Sequence, residues 1–504
     1  MKEKKQEKDF LSFIQEAGLI WGPSPEIYGG LAGFYTYGPL GKLLKNKLEN
    51  SVRSIFNSHG FREIESPTIL PDIVWKASGH LDTFSDKIIK CKKCKSVFRA
   101  DKLIEERHNI QANSLSDEKL LELIKKIHCP NCNSNFENKI EKQSLMIKTE
   151  VSNQQASLRP ETATATYLPF LRYYNHFRKK LPFGVFQIGK AYRNEISPRQ
   201  HTLRMREFTQ AEAQIFIDPM EKNSWQKYNK IKRETLPLWS YKEQEKNSFL
   251  KEIKIEETIK SKLIKSQVYA WCIWLAYRQF INFGIPKEKI RLRQHHPDEK
   301  AFYAEDAWDI EILLNNYGWT EMCGIHDRTD YDLKQHAKFS AQKLEAQREN
   351  NSSFTPHVIE IAFGTDRPVY ALIDLFYEKK SEKEGKTTFK VPYHMAPIEI
   401  AIFPLIKKQE LIKLSEEIKK DLEKEFVIEY DELGSIGRRY LRAALHGIPY
   451  AITIDFDSLK NKDVTIRDRD TEKQIRVPIQ KLKETLKKLL NSEIQFEKAG
   501  KLMK

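Results

Sequence analysis

The 504-residue sequence contains no Gly-x-Gly-x-x-Gly, so no dinucleotide-binding fingerprint opens a helix. It has no P-loop either: the nearest Gly-Lys pair, Gly41-Lys42, is followed by Leu43 where Ser or Thr is required. Cysteine is scarce, six in all, which excludes a disulfide-built scaffold. The longest apolar run, VYAWCIWLAY at 268–277, stops at Arg278, far short of the ~20 residues of a membrane span. The opening MKEKKQEKD mixes both charge signs without an apolar stretch and does not read as a signal peptide. No internal repeat is visible. A soluble, cytoplasmic protein that needs no membrane is expected.

What is present is a chain long enough for two to four domains and, at 40% hydrophobic residues, able to bury a sizeable core. Lys+Arg 85 against Asp+Glu 70 gives +15, which suits a polyanionic partner and equally suits a lysine-rich proteome. Residues 10–60 look helical around a Gly-rich break at 29–33, and 61–75 read as a strand interrupted at Pro67. Residues 91–142 form a Lys-rich, Cys-bearing insert, and 221–266 a second charged insert with few apolar anchors. A charged linker at 378–390 then separates residues 1–390 from a strand-helix-strand-helix-strand pattern over 395–490, the order of a compact α/β domain with parallel pairings, followed by a tail at 491–504.

The densest chemical signal lies at 183–216, two strands joined by a charged loop. Phe208, Gln210, Glu212, Gln214 and Phe216 alternate with smaller or apolar residues at a period of two. Arg193, Asn194 and Glu195 close the first strand, and Arg204, Arg206, Glu207 and Phe208 open the second. Such a gathering suits ATP, because arginine holds phosphate bidentately and an aromatic ring can cover a purine. A second unit, VIEIAFGTDRPVYALIDLFYE at 358–378, reads as strand, turn and helix, with Thr365 as cap. It places Glu360 in an apolar strand and Arg367 at a helix N-terminus, where arginine opposes the helix dipole and gains nothing in stability. SLRPETATATYLPF (157–170) and GWTEMCGIHDRTDYDLKQH (318–336) are two further charged segments.

Together these segments resemble class II aminoacyl-tRNA synthetases, and within them the single-chain homodimeric glycyl family. Pro67 matches the motif 1 proline, YRNE…RMREFTQAE motif 2, and IAFGTDR motif 3, while RPET, GIHDRTDYDL, GSIGRRY (434–440) and TIRDRDT (465–471) match the glycyl signatures. The resemblance spans about residues 10–490. It implies an α/β (α+β) fold: a catalytic domain built on an antiparallel sheet with flanking helices, then an anticodon-binding domain. It implies a homodimer that activates glycine with ATP and magnesium and transfers it to tRNA(Gly). A relative selecting another small amino acid, such as alanine or serine, and a non-catalytic nucleic-acid-binding paralogue are the alternatives.

By this resemblance Arg193 and Arg367 are catalytic, with Arg193 on the α-phosphate and carboxylate and Phe208 and Arg367 sandwiching the adenine. Asn194, Glu195, Leu203, Arg204, Met205, Arg206, Glu207, Glu321, Met322, Gly364, Thr365 and Asp366 complete the ATP site. Arg204, Arg206 or both reach the outer phosphates, and Glu321 helps hold magnesium. Arg99, Glu161, Phe208, Thr209, Gln210, Ala211, Glu212, Arg328, Glu360, Ile361, Ala362, Phe363 and Gly364 bind glycine. Glu161, Glu212 and Glu360 surround its ammonium, since a substrate without a side chain is gripped only at its charged ends. Two departures stand out: Glu360-Ile361-Ala362 replaces Glu-Pro-Ser, and Thr164-Ala165 follows RPETA where the family has Gln-Gly.

Cys91-x-x-Cys94 and Cys129-x-x-Cys132 have the spacing of a structural four-cysteine zinc site, with a helix such as EKLLELIKKI fitted between the pairs; two reduced turns are the alternative. In the C-terminal domain Arg438, Arg439, Arg467 and Arg469 could meet tRNA phosphates and unstacked bases, or serve as ordinary surface charge paired with Asp468 and Asp470.

Overall fold

In the computed structural model, residues 2–503 are described apart from 109, 111, 113–114, 197, 199, 302 and 380–386, and side chains from residue 9 onward. The middle of the expected linker therefore lies outside the described residues; its flanks, Tyr377–Glu378 and Thr388–Phe389, pair as short antiparallel strands.

A nine-stranded sheet organises the first part of the chain: β1 (Phe61–Glu63), β2 (Phe183–Tyr192), β3 (Glu207–Ile217), β4 (Thr235–Trp239), β5 (Lys251–Lys254), β6 (Ile290–Gln294), β7 (Asp306–Leu314), β8 (Gly318–Thr329) and β9 (His357–Gly364). Their order is β5-β4-β6-β7-β8-β9-β3-β2-β1, antiparallel except for β1 with β2 and β4 with β6. The hairpin read from sequence is present, with Gln187 opposite Glu212 and Ala191 opposite Phe208. Three helices cover one face: α1 (Pro39–Ser58), α2 (Gln267–Asn282) and α3 (Asp366–Phe376). The apolar run at 268–277 lies in α2, which is buried almost all round with Val268, Trp271, Ile273 and Leu275 at 1% exposure or less. An apolar cylinder of this kind is a core helix.

Two expectations change here. Residues 221–266 are part of the sheet: β4 and β5 are its outer strands, and Leu236, Leu238 and Ile255 are buried in the main core. Few apolar anchors suffice because only the short inner strand β4 is buried, at Leu236, Pro237 and Leu238, while the edge strand β5 is mostly exposed. The segment 61–75 is strand only as far as Pro71; Asp72–Ala77 is a helix whose first-turn acid, Asp72, suits the helix dipole and accepts a bond from Ser157 Oγ at 2.7 Å.

Residues 85–144 form a lobe of three short strands and two helices with its own apolar cluster, and Asp117–Ile124 is the helix expected between the cysteine pairs. A second sheet and core occupy residues 400–502. Strands β10 (Ile400–Pro404), β11 (Ile428–Tyr430) and β12 (Tyr450–Ile454) pair in parallel, as the pattern predicts. β13 (Asp463–Asp468), β14 (Gln474–Pro478) and β15 (Lys501–Leu502) then add antiparallel. Helices α4 (Gln409–Leu422), α5 (Ile436–Leu445) and α6 (Ile479–Leu490) complete it. The expected tail is thus tied in: β15 pairs with β14, and Phe496 stacks on Tyr450 at 5.9 Å.

Arg159, only 2% exposed, joins the loop around Pro67 to the hairpin. Its guanidinium donates to the carbonyls of Lys190 (2.6 Å), Ser66 (2.9 Å) and Pro67 (3.3 Å) and to the Ser66 and Gln187 side chains. Gly189 makes room for it, since a Cβ there would stand 2.2 Å from Arg159 Nη2. Arg159→Met should destabilise the protein by about 3 kcal/mol, because buried carbonyls lose their donors; the midpoint of urea unfolding measures it.

Candidate functional site

The uncovered face of the sheet carries a cleft of about 310 Å³. Strand periodicity decides what enters it, because alternate side chains point to opposite faces. On β3, Phe208, Gln210 and Glu212 line the cleft. Thr209 points the other way and accepts from Lys45 Nζ of α1 at 2.8 Å, and Ala211 is in the core. On β9, Glu360, Ala362 and Gly364 line the cleft. Ile361 lies in the core, and Phe363, at the cleft's edge, packs against Phe280 of α2 with centroids 5.7 Å apart. Thr209, Ala211 and Ile361 therefore support the site from beneath and do not touch its contents.

At one end of the cleft stand the expected ATP groups. Arg193 stands where this end meets the other: its guanidinium carbon is 5.4 Å from the Phe208 ring centre, and its Nε donates to the carbonyl of Pro160, next to Glu161, at 3.0 Å. Arg204 reaches Glu195 at 3.7 Å, and Leu203, Met205 and Met322 contribute apolar wall. Arg367 Nη1 donates to Glu321 Oε1 at 3.1 Å and to the Glu321 carbonyl at 2.9 Å. The Arg367 charge holds the Glu321 carboxyl below the usual range.

Five expected residues are employed elsewhere. Arg206 donates to the main-chain oxygens of Glu195 (3.0 and 2.8 Å) and Ala32 (3.0 Å) and does not line the cleft, which leaves Arg204 as the outer-phosphate candidate of the two. The main-chain amide of Asn194 donates to the Leu145 carbonyl and Glu207 pairs with Lys190 of β2; neither residue lines the cleft. Thr365 donates to Glu49 of α1 at 3.1 Å. Arg99 is held by Asp101 and Asp86 outside the cleft lining. Asp366 borders the cleft with both oxygens occupied, one by Tyr37 and Lys45 and the other by the Thr209 amide at 2.7 Å.

At the other end the three expected carboxylates converge. Glu161 accepts from Thr164 Oγ1 at 2.7 Å, so the threonine that departs from the family pattern anchors it, and His80 Nε2 is 3.5 Å away. Glu212 accepts from Thr162 Oγ1 at 2.5 Å and Gln210 Nε2 at 2.6 Å. Glu360 is bound by Tyr167 Oη at 2.8 Å, lies 3.2 Å from His326 Nδ1 and 3.4 Å from Arg328 Nη1. Arg328 is clamped by Asp332 at 2.7 and 2.8 Å, with the Tyr303 ring 4.3 Å away. Burial alone would raise all three carboxyls. His80 and Arg328 outweigh it at Glu161, and Arg328 and His326 at Glu360, so both are depressed. At Glu212 the balance reverses: burial and then the charges of Glu360 and Glu161 outweigh the Thr162 bond and the Arg328 charge and raise it well above the usual range.

The sequence reading overlooked His295, Glu299, Tyr303, Asp309, Gly324 and His326, all of which line the cleft. The alternation along β7, polar at Asp309 and Glu311 between Trp308, Ile310 and Ile312, was the available signal for Asp309. His326 lies inside the segment GIHDRTDYDL. Ligand atoms of His295, Asp309 and His326 lie within 4.8 Å of one another. Two partnered contacts explain this: His295 Nε2 with Asp309 Oδ2 at 2.7 Å, and His326 with Glu360.

The cysteine pairs come together. Sγ of Cys91 is 3.4 Å from that of Cys132, Cys94 is 3.6 Å from Cys129, and all four lie within 4.8 Å. A tetrahedron of ~2.3 Å Zn–S bonds has edges of about 3.8 Å, so the donor set fits that metal. The turns repeat: Lys95 and Asn133, each just after the second cysteine of its pair, have φ of 58° and 55°. Hydrogen bonding to Ser96 lowers the Cys94 thiol to about 6, toward the thiolate that binds metal.

In the C-terminal domain Arg438 is exposed. Arg467 lies 4.8 Å from the Tyr440 ring, in a cleft of about 530 Å³. Arg439 is 2% exposed and donates to the carbonyls of Leu405 (3.0 Å) and Asp431 (3.3 Å), so it braces the fold and does not offer itself to a partner. Arg469 is gripped by Asp470 at 2.7 and 3.0 Å and by the Gly447 carbonyl at 2.9 Å.

A cleft with arginines and an aromatic at one end and paired strand carboxylates at the other, on an antiparallel sheet followed by an α/β domain, is the arrangement of a class II aminoacyl-tRNA synthetase. The family described as tRNA synthetase class II core domain (G, H, P, S and T) matches residues 147–376, and the anticodon binding domain family matches 399–489. The chain is similar to the glycine–tRNA ligases of Thermococcus gammatolerans (37% identical over 98% of this chain and 100% of the relative), Thermococcus kodakarensis (38%, 97% and 100%) and Methanothermobacter thermautotrophicus (37%, 95% and 98%). It belongs to the glycine–tRNA ligase family of class II synthetases.

The raised Glu212 has a pH consequence. Its folded pKa exceeds its unfolded value, so its ionisation costs stability increasingly as pH rises above the ordinary carboxyl range. Glu212→Gln should therefore raise the melting temperature at pH 8, by the equivalent of ~1.4 kcal/mol for each unit of pKa displacement removed. The gain should shrink towards pH 5; paired melting curves at the two pH values measure it.

Proposed function

We propose that this protein activates glycine and transfers it to tRNA(Gly), with the cleft residues in the following roles. The observation that carries the reading is the trio Glu161, Glu212 and Glu360 beside Ala362 and Gly324: an anionic, small-walled end suited to an ammonium bearing no side chain. In the first step a glycine carboxylate oxygen attacks the α-phosphorus of ATP, the bond to the bridging oxygen breaks, and pyrophosphate leaves. Arg193 lies between the two ends of the cleft and would bind both the carboxylate and the α-phosphate, neutralising charge that builds up in the transition state. Phe208 and Arg367 would flank the adenine, Glu195 would meet its edge, and Arg204 would hold the outer phosphates. Glu321 would hold magnesium, which screens phosphate charge when bound. In the second step a ribose hydroxyl of the tRNA 3′ end attacks the glycyl carbonyl and AMP leaves.

The C-terminal domain would receive the anticodon, with Arg438 and Arg467 as its candidates among the arginines named. A second copy would dock beside Pro67, where Ile69, Ile73 and Phe339 are 42%, 53% and 40% exposed; sedimentation of a dimer tests this. No helix of the described residues is long and apolar enough to cross a membrane, and the reading places the enzyme in the cytoplasm.

Wild type should show glycine-dependent ATP–pyrophosphate exchange, and Glu360→Gln should raise KM for glycine by about 10- to 150-fold, as loss of a charged bond to the ammonium costs ~1.5–3 kcal/mol. Exchange driven best by alanine or serine, or none at all, overturns the assignment. The lobe at 85–144 would carry one zinc per chain. Metal analysis should find it, and Cys94→Ser should lose it and expose that lobe to protease.

A further inference from the structure

A glycine site must discriminate by exclusion, since there is no side chain to recognise. Its floor has a clear register. On β8 and β9, Gly324 faces Ala362 and His326 faces Glu360; on the far side of β9, Glu212 of β3 faces Ala362. All five side-chain positions share the cleft face, and two of them, Gly324 and Ala362, offer a hydrogen and a methyl. A floor that small would by itself leave room for a larger substrate.

The His326 ring takes up that room. A Cβ on Gly324 would stand 2.6 Å from His326 Cε1, 3.3 Å from Nε2 and 3.5 Å from Nδ1, so the imidazole lies folded over the Gly324 α-carbon. It is held from two sides. Nδ1 is 3.2 Å from Glu360 Oε1, and the ring meets His295 edge to face at 6.0 Å and 82°. His295 is itself fixed by Asp309 at 2.7 Å, and the second oxygen of Glu360 by Tyr167 at 2.8 Å. With 22% of its side chain exposed, His326 still presents a face to the cleft. A wall that is braced in this way cannot yield to an extra methyl group without breaking hydrogen bonds.

We infer that His326 is a specificity-determining residue of this enzyme: its ring, seated over Gly324, closes the space beside Ala362 against any amino acid larger than glycine, while its Nδ1 positions Glu360 for the ammonium. The histidine thus provides, from the neighbouring strand, bulk and a polar atom at a floor where Ala362 has no hydroxyl. The inference rests on the glycine-activating reading and adds the residue that enforces it.

The test is ATP–pyrophosphate exchange at saturating ATP with glycine, alanine and serine, on wild type, His326→Ala, His326→Phe and Gly324→Ala. His326→Ala should lower the glycine-over-alanine ratio of kcat/KM at least ~10-fold, the discrimination that one methyl group commands, with KM for ATP unchanged. His326→Phe restores bulk without the bond to Glu360, so it should keep the ratio within about threefold of wild type and raise KM for glycine. Gly324→Ala should push the ring into the cleft and raise KM for glycine without admitting alanine. A folded His326→Ala with the wild-type ratio overturns the inference. If that variant does not fold, an unchanged glycine KM in Gly324→Ala overturns it instead. Wild type lacking glycine-dependent exchange would fail the underlying reading, a result separate from either.

Discussion

The site depends on one buried cation. Arg328 is 6% exposed, clamped by both oxygens of Asp332, directed at Glu360 and enclosed by the rings of Tyr303 and Tyr167. An arginine taken out of water is tolerable only when its donors are satisfied and its charge is matched. Here Asp332 supplies the match, so the remaining field of the guanidinium falls on Glu360 and Glu161 and keeps both ionised. Without it, three carboxylates around one small space would protonate, because burial and mutual repulsion act in the same direction. Glu212 shows what that costs: Arg328 offsets too little of its burial and its neighbours' charge, and its carboxyl is raised. A monovalent cation with no side chain completes this balance, which is why affinity for an ammonium can arise at a place where nothing grips a side chain.

Rigid register turns this charge balance into geometry. Glu212 and Ala362 are directly paired, as are Glu360 and Gln214, so the distance between the two carboxylates is set by the ladder between β3 and β9 and not by side-chain flexibility. Beneath the sheet, Lys45 of α1 binds Thr209 and Asp366, and Thr365 binds Glu49. These buried polar ties join β3, the start of α3 and α1 into one unit. The arginine at the start of α3, Arg367, therefore has a fixed root, and its head reaches across to Glu321 at the cleft. A residue unfavourable to its helix is kept in place by its neighbours, which is the pattern expected where function sets the side chain.

Much of this was legible in the chain. The alternation at 207–217 gives the strand, the face and the facing residues together, and a glutamate inside an apolar strand at 360 is hard to explain by stability. The parallel core of the C-terminal domain followed from its order of elements. What periodicity cannot reveal is which polar groups are consumed by backbone. Arg206, Arg439 and Arg469 look like ligand-binding arginines in sequence, yet each is largely satisfied by main-chain carbonyls or an adjacent aspartate. Arg99 is likewise absorbed by Asp86 and Asp101. The strands at 235–254 were missed because both are short, the outer one (Lys251–Lys254) is charged and mostly exposed, and the inner one carries Pro237. His295 and Asp309 acquire meaning through their mutual contact, and they are fourteen residues apart.

The two ends of the cleft follow opposite electrostatic rules, and that contrast bears on how the substrates meet. The nucleotide end uses partly exposed guanidinium groups that already have oxygen partners; Arg367 keeps a third of its side chain exposed and pairs with Glu321, and Arg204 faces Glu195. Their charge is matched in the empty enzyme, so that state costs little. The amino-acid end keeps its carboxylates out of water, with relative exposures of 2% for Glu212 and 3% for Glu360. Its empty state stores unfavourable repulsion that an ammonium relieves. Because Arg193 lies between the two, the carboxylate of the bound amino acid is presented to the phosphate across a single cation. Activation then requires both ends to be filled, and the chemistry is confined to the place where their opposite fields join.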